Sequence, residues 1–509
     1  MTDIASKELV TAGWILIILY MLAILYFVIR GALKTKTISD YAVGNIAFSP
    51  IFVGLSLAAS MTSAATFIIN PGFIALYGVS GVISYAIVLP IAAMISLIVL
   101  TFGFRKYGSV VKALTMAQWI GKRYKSKGFS LFFGFLSLLL ITFIVLIVVG
   151  LAKILSKTLN VNEIVILAGI IIFIFGYMMF GGANSMVYTN SIQAILMLIV
   201  AFIVIGSGYE HFSNGIHGFL DKLRNIDPNL ASATNPASFL FRDYFEIIFC
   251  QIIVGVAIVC QPHIITKSLL LKTDSDVKKY LTAGVIAELI FFFVVVAGLY
   301  ARLTFPDLTV NNVPLKMDGI MSAYVVREFP VYIGLIVVMG LISAGISTLE
   351  GLIQSLSSTI TSDIVKPLFG KLLPEDESKR NAAEIAINKL VIVLLGIVSG
   401  FIAYDQLVAP NLSVGIFAQN GVYAYFAAAF VPVLFGTFLK DVPKQATFSA
   451  SIAAIIVHFS VYYGGITHYM QAPVRNPAIA ATLAIITSLV VGAIAYFIFR
   501  NRQNEGTGQ

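Results

Sequence analysis

The chain is poor in charge. Only 11% of its 509 residues are Asp, Glu, Lys or Arg, while 59% are hydrophobic. A soluble domain carries about 25% charged residues, so this sequence cannot cover the surface of a two- or three-domain cytosolic protein. Disorder is excluded by the same composition. There are two cysteines, Cys250 and Cys260, both within one apolar stretch. That excludes a disulfide framework and a cysteine-ligated zinc site. The five histidines, at 211, 217, 263, 458 and 468, do not cluster as metal ligands. No G-x-x-x-x-G-K-[ST] and no H-E-x-x-H occurs. No convergent nucleophile and base are offered either, so the chain does not read as an ATP-driven pump or an enzyme.

What is present is apolar sequence in long runs. A membrane-spanning helix needs about 20 such residues. Thirteen stretches qualify: 10–30, 47–72, 79–104, 129–154, 161–181, 187–208, 244–270, 280–303, 331–362, 387–405, 412–438, 446–465 and 477–499. The bilayer is therefore the expected solvent and partner. The formal charge of +9 reads as topogenic, not as a nucleic-acid surface. Only Lys7 precedes the first stretch, whereas Arg30, Lys34 and Lys36 follow it. This places the N-terminus outside and argues against a cleaved signal. Alternating sides from there puts 23 of the 33 lysines and arginines in cytoplasmic segments. The bias predicts an odd span count and a cytoplasmic C-terminus in the plasma (inner) membrane.

Two stretches do not read as plain helices. The second contains Ala58-Ala59-Ser60-Met61-Thr62-Ser63-Ala64-Ala65-Thr66, followed by Asn70-Pro71-Gly72. Small residues let the backbone unwind, and hydroxyls re-satisfy freed carbonyls. A close helix-packing face is the alternative reading. The seventh carries Cys260-Gln261-Pro262-His263 and then Lys267. Pro262 breaks the ladder, and polar residues beside such a break are the pattern of a transporter site. A kink near the cytoplasmic end, with Lys267 snorkelling to the surface, is the alternative. The breaks stand five stretches apart. Stretches 2–6 and 7–11 therefore read as two five-helix halves of opposite direction. In the ninth stretch, Ser347 and Thr348 are adjacent hydroxyls in mid-membrane. Neutral hydroxyls facing loosened carbonyls would supply about five oxygens, enough for a hard monovalent cation. Hydroxyls bonding back to the preceding turn are the bland alternative.

With these residues in view, the chain resembles the sodium/solute symporter family, whose members carry proline, pantothenate, monocarboxylates, sialic acid or glucose. The most specific pieces are Ser343-Ala344-Gly345-Ile346-Ser347-Thr348, Gln261-Pro262-His263-Ile264-Ile265, and Phe180-Gly181-Gly182 leading to Thr189-Asn190-Ser191-Ile192-Gln193. The resemblance implies an all-α membrane protein of thirteen helices. Its core would be a five-plus-five inverted repeat (LeuT-like) with two discontinuous helices. The expected organisation is a peripheral helix within 1–46, repeats at 47–208 and 244–438, an extracellular loop at 209–243, and two peripheral helices with a tail at 439–509. The resemblance also implies a sodium ion held by the carbonyls of Ala59, Thr62 and Ala344 and the hydroxyls of Ser347 and Thr348.

Departures bear on the substrate. Sugar-type members have Glu and Gln where this chain has Ala86 and Thr66, and proline-type members have Asp and Trp where it has Met61 and Ala65. Ser63-Ala64-Ala65-Thr66-Phe67 and Pro306-Asp307-Leu308-Thr309-Val310 look most like the pantothenate and monocarboxylate branch. The expected activity is thus sodium-coupled symport of a small carboxylate-bearing solute by one monomer. Amino-acid, sugar or sialic acid symport, and an exchanger or sensor without net symport, are the alternatives. Solute contacts are expected at Thr66, Asn70, Tyr85, Gln261 and His263. Asn190 stands where many members have an Asp, which favours one sodium per cycle. Glu350 is an acid in mid-membrane, and such a residue is a functional hypothesis by default. Both are expected to bear on coupling, whereas Glu288 reads as a packed acid.

Overall fold

Inside a bilayer every backbone amide and carbonyl must be satisfied within the protein, so apolar stretches of this length form helices. The computed structural model describes residues 7–45, 47–409, 413–470 and 474–506. The expected edge at 412 and the last residues of the tail lie outside these. In chain order the helices are α1 (Lys7–Ala32), α2 (Ile38–Val43), α3 (Pro50–Met61), α4 (Ala65–Tyr77), α5 (Val79–Val110), α6 (Met116–Arg123), α7 (Lys127–Leu159), α8 (Glu163–Met178), α9 (Ala183–Phe212) and α10 (Gly215–Ile226). They continue as α11 (Phe245–Ile258), α12 (Pro262–Leu270), α13 (Asp276–Thr304), α14 (Ile320–Glu328), α15 (Val331–Leu372), α16 (Glu377–Val408), α17 (Val414–Phe438), α18 (Lys444–Gly464) and α19 (Pro477–Gly506). A two-residue antiparallel hairpin pairs β1 (Thr309–Val310) with β2 (Val313–Pro314).

Among the described residues, ten helices are long and apolar enough to cross a membrane. Two bent pairs raise this to twelve if each is one span: α3 with α4 at 52°, and α11 with α12 at 58°. The expected stretch 161–181 forms only the shorter apolar helix α8. It ends at Met178, and the chain then turns at Gly182, whose φ of +72° a side chain would resist. The structure therefore supports fewer full-length spans than the thirteen expected.

The core sits around the first bent pair. α3 packs on α9, α13 and α15, and α9 packs along α15. Gly54 of α3 and Gly284 of α13 lie against each other, which brings the two backbones close. α15 and α17 are mostly buried, whereas α1 lies at the perimeter with Ile15, Leu19 and Leu22 exposed. This arrangement places both breaks in the interior.

Candidate functional site

The first break follows from the small-residue run. α3 ends at Met61, and Thr62 is extended at φ −89° and ψ 103°. Ser63 restarts the helix, its Oγ accepting from the Ala65 amide at 3.0 Å. The carbonyls of Ala59 and Thr62 are thereby freed from a continuous ladder and turn toward α15. Ser347 Oγ donates to Ala59 O at 2.6 Å and lies 3.2 Å from Ala344 O. Thr348 Oγ1 lies 3.1 Å from Ala344 O, 3.3 Å from Thr62 O and 3.4 Å from Ala59 O. All five residues are fully buried. The five oxygens named from the sequence thus converge on one point between α3 and α15.

That donor set is neutral and consists only of oxygen. It fits a hard monovalent cation, because each hydroxyl can rotate its proton away and present lone pairs. Among the described residues, no group of three or more His, Cys, Asp or Glu could hold a metal ion. A transition metal would prefer such softer or charged ligands.

A wider polar cluster surrounds this point. Thr62 Oγ1 donates to Glu288 Oε2 on α13 at 2.6 Å, and Glu288 is fully buried. Asn190 Nδ2 on α9 donates to Ser60 Oγ at 3.0 Å and reaches Ser347 O at 3.4 Å. Glu350 accepts from Tyr177 at 2.7 Å and from Thr189 at 2.8 Å. Lys267 Nζ donates to Ser56 Oγ at 2.6 Å and to Ser56 O at 2.9 Å. Lys267 is 3% exposed, which corrects the snorkelling alternative. Its chain turns inward because α12 packs against α15 and α3, leaving no path to the surface. Glu288 likewise does more than pack, since it bonds the residue at the break. The signal for both was an ionisable side chain with no surface-bound flank.

A cavity opens beside the break. Thr66, Asn70, Tyr85 and Gln261 line it, as expected, together with Gln419 and Phe143. Gln419 Nε2 donates to Tyr85 Oη at 3.3 Å. Among the described residues, no Asp, Glu, Lys or Arg lines it. Gln261 is extended at φ −80° and ψ 138°, so α12 begins anew at Pro262 beside the cavity. The side-chain Oε1 of Gln261 is buried with no hydrogen-bond partner. His263 is the expected contact that the structure keeps out. It lies past Pro262 with its ring edge-on to Phe143, and neither ring nitrogen has a partner. Gln419 escaped the sequence reading because nothing near it in the chain marks a break.

Known proteins show the same plan. A profile of the sodium:solute symporter family matches residues 41–454. A sodium/pantothenate symporter of Haemophilus influenzae is 24% identical over 498 residues, covering 95% of this chain and 95% of its own. A sodium/proline symporter of Staphylococcus aureus is 24% identical over 471 residues, covering 89% of this chain and 87% of its own. The solved structure of a substrate-bound, outward-open Na+-coupled sialic acid symporter superposes with a TM-score of 0.76. It is 18% identical and covers 96% of this chain and 97% of its own, so the fold is shared. The chain belongs to the sodium:solute symporter family: it is a multi-pass membrane transporter, not an enzyme, and couples the symport of a small solute to sodium.

Proposed function

We propose that the solute is a small carboxylate, of pantothenate or monocarboxylate type, and that sodium binds at Ala59, Thr62, Ala344, Ser347 and Thr348. The observation that carries the sodium assignment is the convergence of five neutral oxygens across the first break. Sodium there replaces hydroxyl-to-carbonyl hydrogen bonds and draws α15 onto the end of α3. The cavity is lined by Met61 and Ser63, the neighbours of Thr62, so closing the ion site shapes the solute site.

The carboxylate reading rests on the helix ends. α4 and α12 both begin at a break beside the cavity, and a helix N-terminus carries a partial positive charge. Two such ends, with Ser63 and Thr66 as donors, suit an anion that no lysine or arginine meets. The lining holds no carboxylate to pair with an ammonium, which disfavours an amino acid. Ala86 and Thr66 stand where sugar-type members have Glu and Gln, which disfavours a sugar.

In this reading the two five-helix repeats, 47–208 and 244–438, rock against each other around the two breaks. The thirteen-span topology, with the N-terminus outside and the C-terminus cytoplasmic, belongs to the same proposal, as does a monomeric unit. One sodium entering against 100 mV contributes about 2.3 kcal/mol, or about 50-fold accumulation before any sodium gradient. The test is thermal stability of purified protein with carboxylates, amino acids and sugars, in sodium and then in potassium. Carboxylates should raise Tm more in sodium than in potassium. A larger shift from an amino acid or a sugar would overturn the substrate class.

A further inference from the structure

A second cavity lies away from the breaks, on the face that the proposed topology puts outside. It is lined by Lys153 and Lys157 near the end of α7, Glu163 at the start of α8, the β1–β2 hairpin, Lys316, and Gln406 on α16. Three lysines stand there against one glutamate. The sequence keeps most lysines and arginines on the cytoplasmic side, so three on one outer cavity run against that bias.

The donors are not used up. Lys157 Nζ has three N–H groups and donates to Gly319 O at 3.0 Å. No other hydrogen bond or ion pair involves it among the described residues. Lys316 is exposed. Gln406 Oε1 is buried with no partner, so it needs a donor from outside the protein. Cations beside an unmet acceptor match a carboxylate that also carries an O–H or N–H group.

The wall of this cavity is tied to that of the inner one. Lys153 pairs with Asp318 at 3.3 Å. Asp318 accepts from Ser413 Oγ at 2.9 Å and from the Val414 amide at 3.3 Å. Gly415, next in the chain, lines the solute cavity. On the other side, Met317 O lies directly against Gly72 of α4. Gly319 lines the outer cavity, so the segment Met317–Gly319 links the two walls.

We propose that the outer cavity is a carboxylate-binding antechamber. Lys157 and Lys316 take the carboxylate of the arriving solute, and Gln406 accepts its neighbouring O–H or N–H. In this proposal Met317–Gly319 acts as the lid of the solute cavity, and the site concentrates an anion there before it opens, as positive clefts do for anionic ligands. An anion competing for Lys153 weakens the hold on Asp318. This deepens the carboxylate reading above and rests on it for its role in transport.

The test is equilibrium binding of radiolabelled pantothenate to the purified full chain, with and without sodium, choline replacing sodium at constant ionic strength. The wild type should show a sodium-dependent class and a weaker, sodium-independent class that fades as choline chloride is raised. K157Q and K316Q should each weaken the sodium-independent class at least fivefold, with the sodium-dependent class and Tm retained. Panthenol, an alcohol in place of the acid, should not compete for it. Lys316 is exposed, so K316Q guards against misfolding of K157Q. Absence of sodium-independent binding in the wild type, or equal binding by the variants, overturns the antechamber. Absence of the sodium-dependent class alone overturns pantothenate as the transported solute and leaves the antechamber standing.

Discussion

The two helix breaks differ in what they leave open. At the first, the freed carbonyls of Ala59 and Thr62 are met by Ser347 and Thr348 from a neighbouring helix. At the second, Gln261 Oε1 and both ring nitrogens of His263 are buried without a partner. An unsatisfied buried polar atom costs about 1–3 kcal/mol. The first break is thus a closed, acceptor-rich knot that an ion can enter by replacing hydrogen bonds. The second is an open one, and Gln261 faces the cavity where a solute can complete it. On the proposed reading, the first break takes a cation and the second a solute whose own donor meets Gln261.

The strongest link between the breaks is the buried lysine. Lys267, five residues past Pro262, reaches Ser56 in the inner half of α3. Glu350 stands in the same polar cluster but bonds Tyr177 and Thr189, and no ion pair joins it to Lys267 among the described residues. Lys267→Met leaves the Ser56 oxygens without their buried donor and should cost about 1–3 kcal/mol, and Glu350→Gln should cost about as much through its two hydroxyl partners. The double variant should lose about the sum of the two. Denaturation of all three variants measures it, and a loss well below the sum would show that the two charges are coupled.

The next effect isolates the first break. Thr348→Ala should weaken sodium binding about 100-fold, or about 2.7 kcal/mol, while costing stability about 1 kcal/mol. Sodium titration of the purified variant checks it, and wild-type affinity would remove Thr348 from the site. Gln261→Ala tests the second break. It should raise the solute KM about tenfold with sodium affinity unchanged, because that side chain lines the cavity and belongs to none of the five proposed sodium ligands. Equal loss of both affinities would merge the two breaks into one site. The smallest effect belongs to His263. His263→Phe should keep solute affinity and change stability by less than about 1.5 kcal/mol, since the ring packs on Phe143 and makes no hydrogen bond.

Much of this was legible in the chain. Hydropathy placed the long helices, and the small-residue run and Pro262 placed both bends. Ser347 and Thr348 were visible because adjacent hydroxyls are conspicuous in an apolar helix. Other features were not. The stretch 161–181 looked like a full span, but only Glu163–Met178 forms its helix. Lys267 looked free to reach the surface, yet packing of α12 on α15 and α3 traps it. His263 looked like Gln261, its neighbour across Pro262, but the bend turns the two residues into different surroundings. Gln419, more than 150 residues from either break, became a cavity residue only through α17.

What the sequence determined by itself was therefore the solvent, the helical class and the positions of the two breaks. These depend on local properties: apolar run length, side-chain size and the missing amide of proline. Only the tertiary structure decided which polar groups meet. The Ala59 and Ser347 oxygens are separated by 288 residues and stand 2.6 Å apart. Their meeting depends on how α3 and α15 cross in the core, a property of the whole packed bundle that neither segment encodes alone.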